Sequence, residues 1–132
     1  PMANISKIAD VVICIETGAE VITGSTRMKA GTAQKMVLNM LTTGAMIKIG
    51  KVYKNFMIDV KPTNIKLKDR AQRIVSEIAH CSQDEAKTVL ESNEYKVKEA
   101  ILQIKYSISY EKAKVLLDKF NGVIGKAFSD LQ

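Results

Sequence analysis

Apolar positions fall into three textures along the chain. Residues Ala9 to Ile15, "ADVVICI", form a short β-branched run with no helical period, the pattern of a strand buried on both faces of a parallel sheet. Such a strand needs neighbours, yet the only other candidate is "FMIDV" (Phe56 to Val60), which is flanked by turn formers. The sheet is therefore expected to be completed by another chain or by residues upstream of Pro1.

The second texture follows a polar loop, "VITGSTRMKAGT". Met36, Leu38, Met40, Leu41, Ala45, Met46 and Ile49 make a helix that is apolar around much of its circumference, as expected of a helix buried between layers, with Gly50 as its stop. "KVYKNFMIDVKPTN" then reads as an irregular connector in which Pro62 disfavours helix at Lys61.

The third texture is amphipathic. Leu67, Ala71, Ile74, Val75 and Ile78 recur at spacings of three and four, predicting a helix within "NIKLKDRAQRIVSEIAHC". From Ser82 the helices shorten. "SQDEAKTVLES" opens with a capping box, Ser82 and Glu85, and is followed by helical patterns in "EYKVKEAILQIKYS", "SYEKAKVLLDKF" and "GVIGKAFSDL". "DEAKTVL" and "EKAKVLL" echo each other, which points to a duplicated helical hairpin within a compact bundle. A boundary near Cys81 divides residues 1–81 from residues 82–132.

Composition narrows the classes of function. Twenty Lys and Arg against 14 Asp and Glu leave a net charge of +6, which favours anionic ligands. The basic residues are scattered rather than clustered, and four Tyr and three Phe provide few stacking platforms, so no nucleic-acid partner is expected. Cys14, Cys81 and the single His80 form neither a zinc pattern nor a disulfide framework, and a reduced, cytoplasmic setting fits them. No window approaches about 18 uninterrupted apolar residues, so no membrane span is expected. With Pro rather than Met as its first residue, the chain is expected to be a processed or truncated piece of something longer.

The loop "TGSTRMKAGT" concentrates the candidate chemistry. Thr23, Ser25, Thr26 and Thr32 supply hydroxyls, Arg27 and Lys29 supply cations, and Gly24 and Gly31 allow close approach of the backbone, all beside a helix N-terminus. The spacing is not that of a Walker loop. On spacing alone two readings stand: a site for a phosphate or hydroxyl-rich sugar, and an ordinary helix start rich in capping residues. Glu16 and Glu20 lie just past the predicted strand, where a carboxylate serves either as a base or acceptor for a sugar or as a solvated loop residue. His80 sits near a helix end, where dipole complementarity accounts for it.

The run "GAEVITGSTRMKAGTAQKMVLNMLTTGAMIKIGKVYKNFMIDVKPTNIKLKDRAQRIV" closely resembles the signature of the N-acetylmuramic acid 6-phosphate etherases, bacterial cytoplasmic enzymes of cell-wall recycling, and the vertebrate glucokinase regulatory protein shares an abbreviated form of it. The tail from Ser82 resembles the small helical domain, similar to ubiquitin-associated domains, that follows in this family. One departure is Gly18-Ala19-Glu20, where the family usually reads Gly-Pro-Glu.

The resemblance implies an α/β parent fold, a flavodoxin-like sugar isomerase domain. This chain, mostly α, would hold its last strand and helices, followed by the small helical bundle. It implies a lyase that removes D-lactate from N-acetylmuramic acid 6-phosphate without metal or other cofactor. The acid and base would be glutamates of an earlier half, so no catalytic residue falls within this sequence and the isolated chain is expected to be inactive. Glu20, Ser25, Thr26, Arg27 and Lys29 would line the phosphosugar pocket, with Thr32 and Lys35 opening the helix behind it. The resemblance also implies a homodimeric parent. The unpartnered apolar segments predict that this chain either self-associates or rearranges its first segment.

Overall fold

A computed structural model describes residues 3–132, which divide into two compact units, the first ending at Thr42 and the second running from Thr43 to Gln132. Among the described residues there are six α-helices and one two-stranded sheet.

The first unit begins with a short 3-10 turn, Asn4–Lys7, and then runs without regular structure through Glu20. The strand expected at Ala9 to Ile15 does not form. A β-branched run becomes a strand only by exchanging hydrogen bonds with a neighbour, and the only ladder among the described residues joins two other segments. Instead Ile13, Ile15 and Thr17 border a cleft of about 240 Å³ shared with Ala30, Val37 and Leu38 of the first helix.

That helix, α1, spans Lys29–Lys48, and the division between the two units falls within it. Its apolar residues are not buried as the pattern predicted. Met36, Leu38, Met40, Leu41, Ile47 and Ile49 are all more than half exposed. A helix apolar all round needs protein on several sides, and within its unit α1 has too little of it.

The second unit starts with the end of α1, which closes in a Schellman motif: Lys51 N–H donates to Met46 O (3.0 Å) and Gly50 N–H to Ile47 O (3.1 Å). Gly50 is the intended stop, with φ of 73°. It is also buried, and a Cβ there would lie 2.9 Å from Val123 Cα.

The segment read as an irregular connector contains a tight antiparallel hairpin, β1 (Val52–Tyr53) and β2 (Phe56–Met57), with Val52 opposite Met57. Of the candidate strand "FMIDV" only the first two residues pair; Ile58 turns into the core and is 1% exposed. Lys51 and Asp59 close the hairpin's base through an ion pair at 2.8 Å.

Helix α2 (Ile65–Ala79) is capped by Asn64, whose side chain accepts from Leu67 N–H, and buries Ala71, Ile74, Val75 and Ile78, four of the five positions its period marks. It ends at His80 in the left-handed conformation, with Cys81 N–H and its own N–H both donating to Ser76 O. Helices α3 (Gln83–Ser92), α4 (Val97–Tyr106), α5 (Tyr110–Lys119) and α6 (Ile124–Asp130) complete the bundle, α2 packing on α3 and α4, and α4 on α5.

The echo between α3 and α5 extends to whole hairpins. Ser82 caps α3 by accepting from Glu85 N–H, and Ser109 caps α5 by accepting from Lys112 N–H. Ala86, Leu90, Val97, Ala100 and Ile101 are buried, and so are their equivalents Ala113, Leu117, Ile124, Ala127 and Phe128. Each first helix ends in the same backbone bond, Tyr95 N–H to Leu90 O at 2.7 Å and Gly122 N–H to Leu117 O at 2.8 Å, through a left-handed pair of residues. Lys98 joins the two hairpins by donating from Nζ to Gly122 O at 2.8 Å.

Candidate functional site

The hydroxyl-rich loop belongs to the first unit, and its shape follows from a few short-range choices. Ser25 N–H donates to Ile22 O (3.0 Å), forming a turn in which Gly24 takes the third position with φ of 81°, as a type II turn requires. Thr26 O then accepts from Gly31 N–H at 2.8 Å, and Met28 O from Thr32 N–H at 3.0 Å. Gly31 permits this approach: a Cβ there would already lie 3.4 Å from Thr26 O.

The remaining amides at the start of α1 are taken by a residue far from the usual capping position. Glu20 lies nine residues before Lys29, and its carboxylate accepts from Lys29 N–H (Oε2, 3.0 Å) and from Ala30 N–H (Oε1, 3.0 Å). Lys29 Nζ donates back to Ala19 O at 2.9 Å, so one turn of helix and the chain on either side of Glu20 are tied together. The Ala30 and Lys29 amides hold the Glu20 carboxyl below its ordinary value of 4.5, because they bond to its charged form. All of the first four amides of α1 are thus satisfied within the chain.

Of the five residues the resemblance assigns to the pocket, the structure brings Glu20 and Lys29 into direct contact. Ser25 and Thr26 act through their backbone carbonyls, which accept from Met28 N–H and Gly31 N–H. Among the described residues their hydroxyls and the Arg27 guanidinium have no hydrogen-bond or ion-pair partner, and Thr26, Arg27 and Lys29 are exposed. A shallow groove of about 600 Å³, bordered by Thr17, Met28, Lys29, Thr32 and Met36, takes only Lys29 from these five. Thr32 lies in the first turn of α1 and Lys35 in the next, as anticipated. Among the described residues the Glu16 side chain makes no hydrogen bond or ion pair, and His80 is the residue that ends α2.

A cleft of about 500 Å³ in the second unit had no signal in the sequence. Ile58, Asp59, Lys61, Tyr95, Lys98 and Asp118 are among its lining residues. Burial pushes the half-buried Lys98 ammonium below its ordinary range, while Lys51 holds the Asp59 carboxyl down. The charges there are mixed: Lys98 donates to Gly122 O, and Asp59 is paired with Lys51. Among the described residues no cluster of His, Cys, Asp or Glu could hold a metal ion, and no helix is long and apolar enough to cross a membrane.

Residues 54–124 match the family model described as the C-terminal lid domain of glucokinase regulatory protein. The chain is 54% identical over 125 residues to an N-acetylmuramic acid 6-phosphate etherase of Geobacillus sp. (strain WCH70), covering 95% of this chain and 42% of that protein. It is 50% identical over 131 residues to the protein of that name from Clostridium botulinum (strain Loch Maree / Type A3), covering 99% and 43%. A protein of Lactiplantibacillus plantarum named N-acetylmuramic acid 6-phosphate etherase 2 is 50% identical over 125 residues, covering 95% and 42%. The chain therefore spans less than half the length of the curated relatives it matches.

Proposed function

Since this chain belongs to the family of the glucokinase regulatory protein's C-terminal lid domain, and since half or more of its residues are identical to those of named etherases, we propose that it is part of an N-acetylmuramic acid 6-phosphate etherase. The observation that carries this reading is 50% identity over 131 residues, a range that takes in the hydroxyl-rich loop.

The proposed reaction is a β-elimination on the ring-opened sugar phosphate, as a lyase of cell-wall recycling in the cytoplasm. A base removes the C2 proton, which the C1 aldehyde makes acidic. The C3–O ether bond breaks and the departing oxygen takes a proton, releasing D-lactate. Water then adds across C2 and C3, giving N-acetylglucosamine 6-phosphate. The acid and base are assigned to the remainder of the longer protein, a flavodoxin-like sugar isomerase domain. Residues 1–81 of this chain contribute one wall of its phosphosugar pocket, and residues 82–132 a small helical domain.

Within that wall, Arg27 and the free hydroxyls of Ser25 and Thr26 suit the charge and the oxygen-rich surface of a phosphorylated amino sugar. Glu20 organises the loop. The exposed apolar residues of α1 and of the Ala9 to Ile15 segment support burial against further sheet and against a second subunit.

Lactate release from N-acetylmuramic acid 6-phosphate is the test. The full-length protein is expected to release it and the isolated 132 residues to release none. A full-length protein that binds the sugar phosphate without releasing lactate would sink the etherase reading. It would favour the second reading, a non-catalytic sugar-phosphate-binding regulator, which the family match over residues 54–124 supports. A third reading makes residues 82–132 a helical interaction module.

A further inference from the structure

The start of α1 looks from its sequence like an anion site, yet its first four amides are already bonded. Two of them go to a carboxylate brought from nine and ten residues upstream. A phosphate placed there would have to displace Glu20 or share the helix terminus with a second negative charge, which the dipole of one helix end does not offset. The Ser25 and Thr26 hydroxyls and the Arg27 guanidinium, by contrast, make no hydrogen bond among the described residues.

We infer that Glu20 is a positioning residue: it closes residues 21–28 onto the first turn of α1 and bars the helix terminus to the phosphate of a sugar phosphate, directing that anion to Arg27 and the Ser25 and Thr26 hydroxyls. This assignment rests on the phosphosugar reading of the loop. The carboxylate itself does not touch the substrate. The charged group nearest to it is Lys29, whose ammonium is held by Ala19 O rather than by the carboxylate. The clasp is therefore made by backbone amides, and it persists as long as Glu20 is ionised. Ala19 lies inside it, so the absence of a proline there leaves the closure of the loop to Glu20 and Lys29.

Amide NMR on the 132-residue chain separates the parts of this inference. In the wild type the Lys29 and Ala30 amide signals follow a common titration with a midpoint below 4.5, and in Glu20→Gln that titration disappears. At pH 5, well below the second ionisation of inorganic phosphate, that singly charged anion leaves those two amides unmoved in the wild type. In Glu20→Ala it moves them with a saturable curve, and in Glu20→Gln, which keeps a neutral acceptor, it moves them less. Signals from residues 82–132 report that each variant remains folded. Saturable movement of the Lys29 and Ala30 amides by phosphate in the wild type would overturn the proposal, as would amides indifferent to both substitutions. The phosphosugar reading is tested separately by N-acetylglucosamine 6-phosphate, which should move signals from Ser25 to Lys29 in the wild type. If it does not, while the amide titration is present, the loop loses its ligand and Glu20 keeps only its structural role.

Discussion

The two units use similar apolar side chains to opposite effect. In the second, Leu90, Ile101 and Leu102 are 0% exposed and α2 buries its one apolar stripe against α3 and α4. In the first, Ile13 and Leu41 are each 54% exposed and Met40 is 65% exposed. Hydrophobicity alone does not bury a residue; the geometry of the pattern decides how many partners it requires. A stripe is satisfied by one packed face, whereas an all-round apolar helix and a two-sided strand demand layers on both sides. The first unit therefore carries the residues of a sheet-and-helix interior without the layers that would make it one.

Truncating core residues gives the largest expected difference between the units. Leu90→Ala should cost about 2–5 kcal/mol, through lost transfer energy and the cavity left behind. Leu41→Ala, measured at a dilution that keeps the chain monomeric, should change stability by about 0.5 kcal/mol or less. Urea denaturation of both variants measures this directly. Light scattering should show the wild-type chain self-associating through its apolar first unit, and less association in Leu41→Ser. Equal destabilisation by the two alanine variants would mean that α1 is buried in solution, by rearrangement of Ala9 to Ile15.

The glycines sharpen the same contrast at smaller scale. Gly50→Ala forces a side chain to φ of 73° and within 2.9 Å of Val123 Cα, so a loss of about 1–3 kcal/mol is expected in thermal melting. Gly31→Ala meets only Thr26 O at 3.4 Å at an ordinary φ, and should cost well under half as much. Gly50 was legible as a stop because a helix that ends on a left-handed residue selects glycine. What lies against it was not legible, since Val123 belongs to a turn more than seventy positions away.

This division between local and distant causes runs through the whole chain. The helices from Ile65 onward follow a period, and α2, α3 and α5 start at neighbouring caps, Asn64, Ser82 and Ser109, so the sequence shows them. The hairpin at Val52–Met57 was hidden because its positive φ of 52° falls on Lys54 rather than on the neighbouring Asn55. Ala9 to Ile15 has the composition of a strand, but pairing is a property of two segments. At the candidate site the residue types were visible, and the bonds were not. A capping residue is sought beside its helix, and Glu20 reaches α1 across a loop.

Ser82→Ala and Ser109→Ala test the hairpin duplication. Each removes an acceptor from an equivalent first-turn amide and should cost about 1 kcal/mol, with the double variant close to the sum. Unequal losses would show that the two hairpins, alike in backbone, are unlike in how much of the bundle depends on them.

The smallest effect is confined to the first unit and depends on pH. Glu20 has its folded-state carboxyl lowered below 4.5 by the Ala30 and Lys29 amides. Its contribution is therefore fully present above the unfolded value and is lost as pH falls through the lowered, folded one. Asp59, lowered by its hydrogen bond to Lys51, gives the second unit an acid-dependent contribution of the same sign. The two differ in what they hold. Loss of the Glu20 charge frees the first turn of α1, so hydrogen exchange at Lys29 and Ala30 should quicken between pH 5 and 3 relative to exchange in Glu20→Gln at the same pH. Exchange at Leu90 and Ile101, inside a core that contains no carboxylate, should keep its ratio to the intrinsic rate over that range until the unit unfolds as a whole. If protection at Leu90 and Ile101 fell in step with that at Lys29, the first turn of α1 and the bundle would form one cooperative structure, and the contrast between the two units would not extend to their stability.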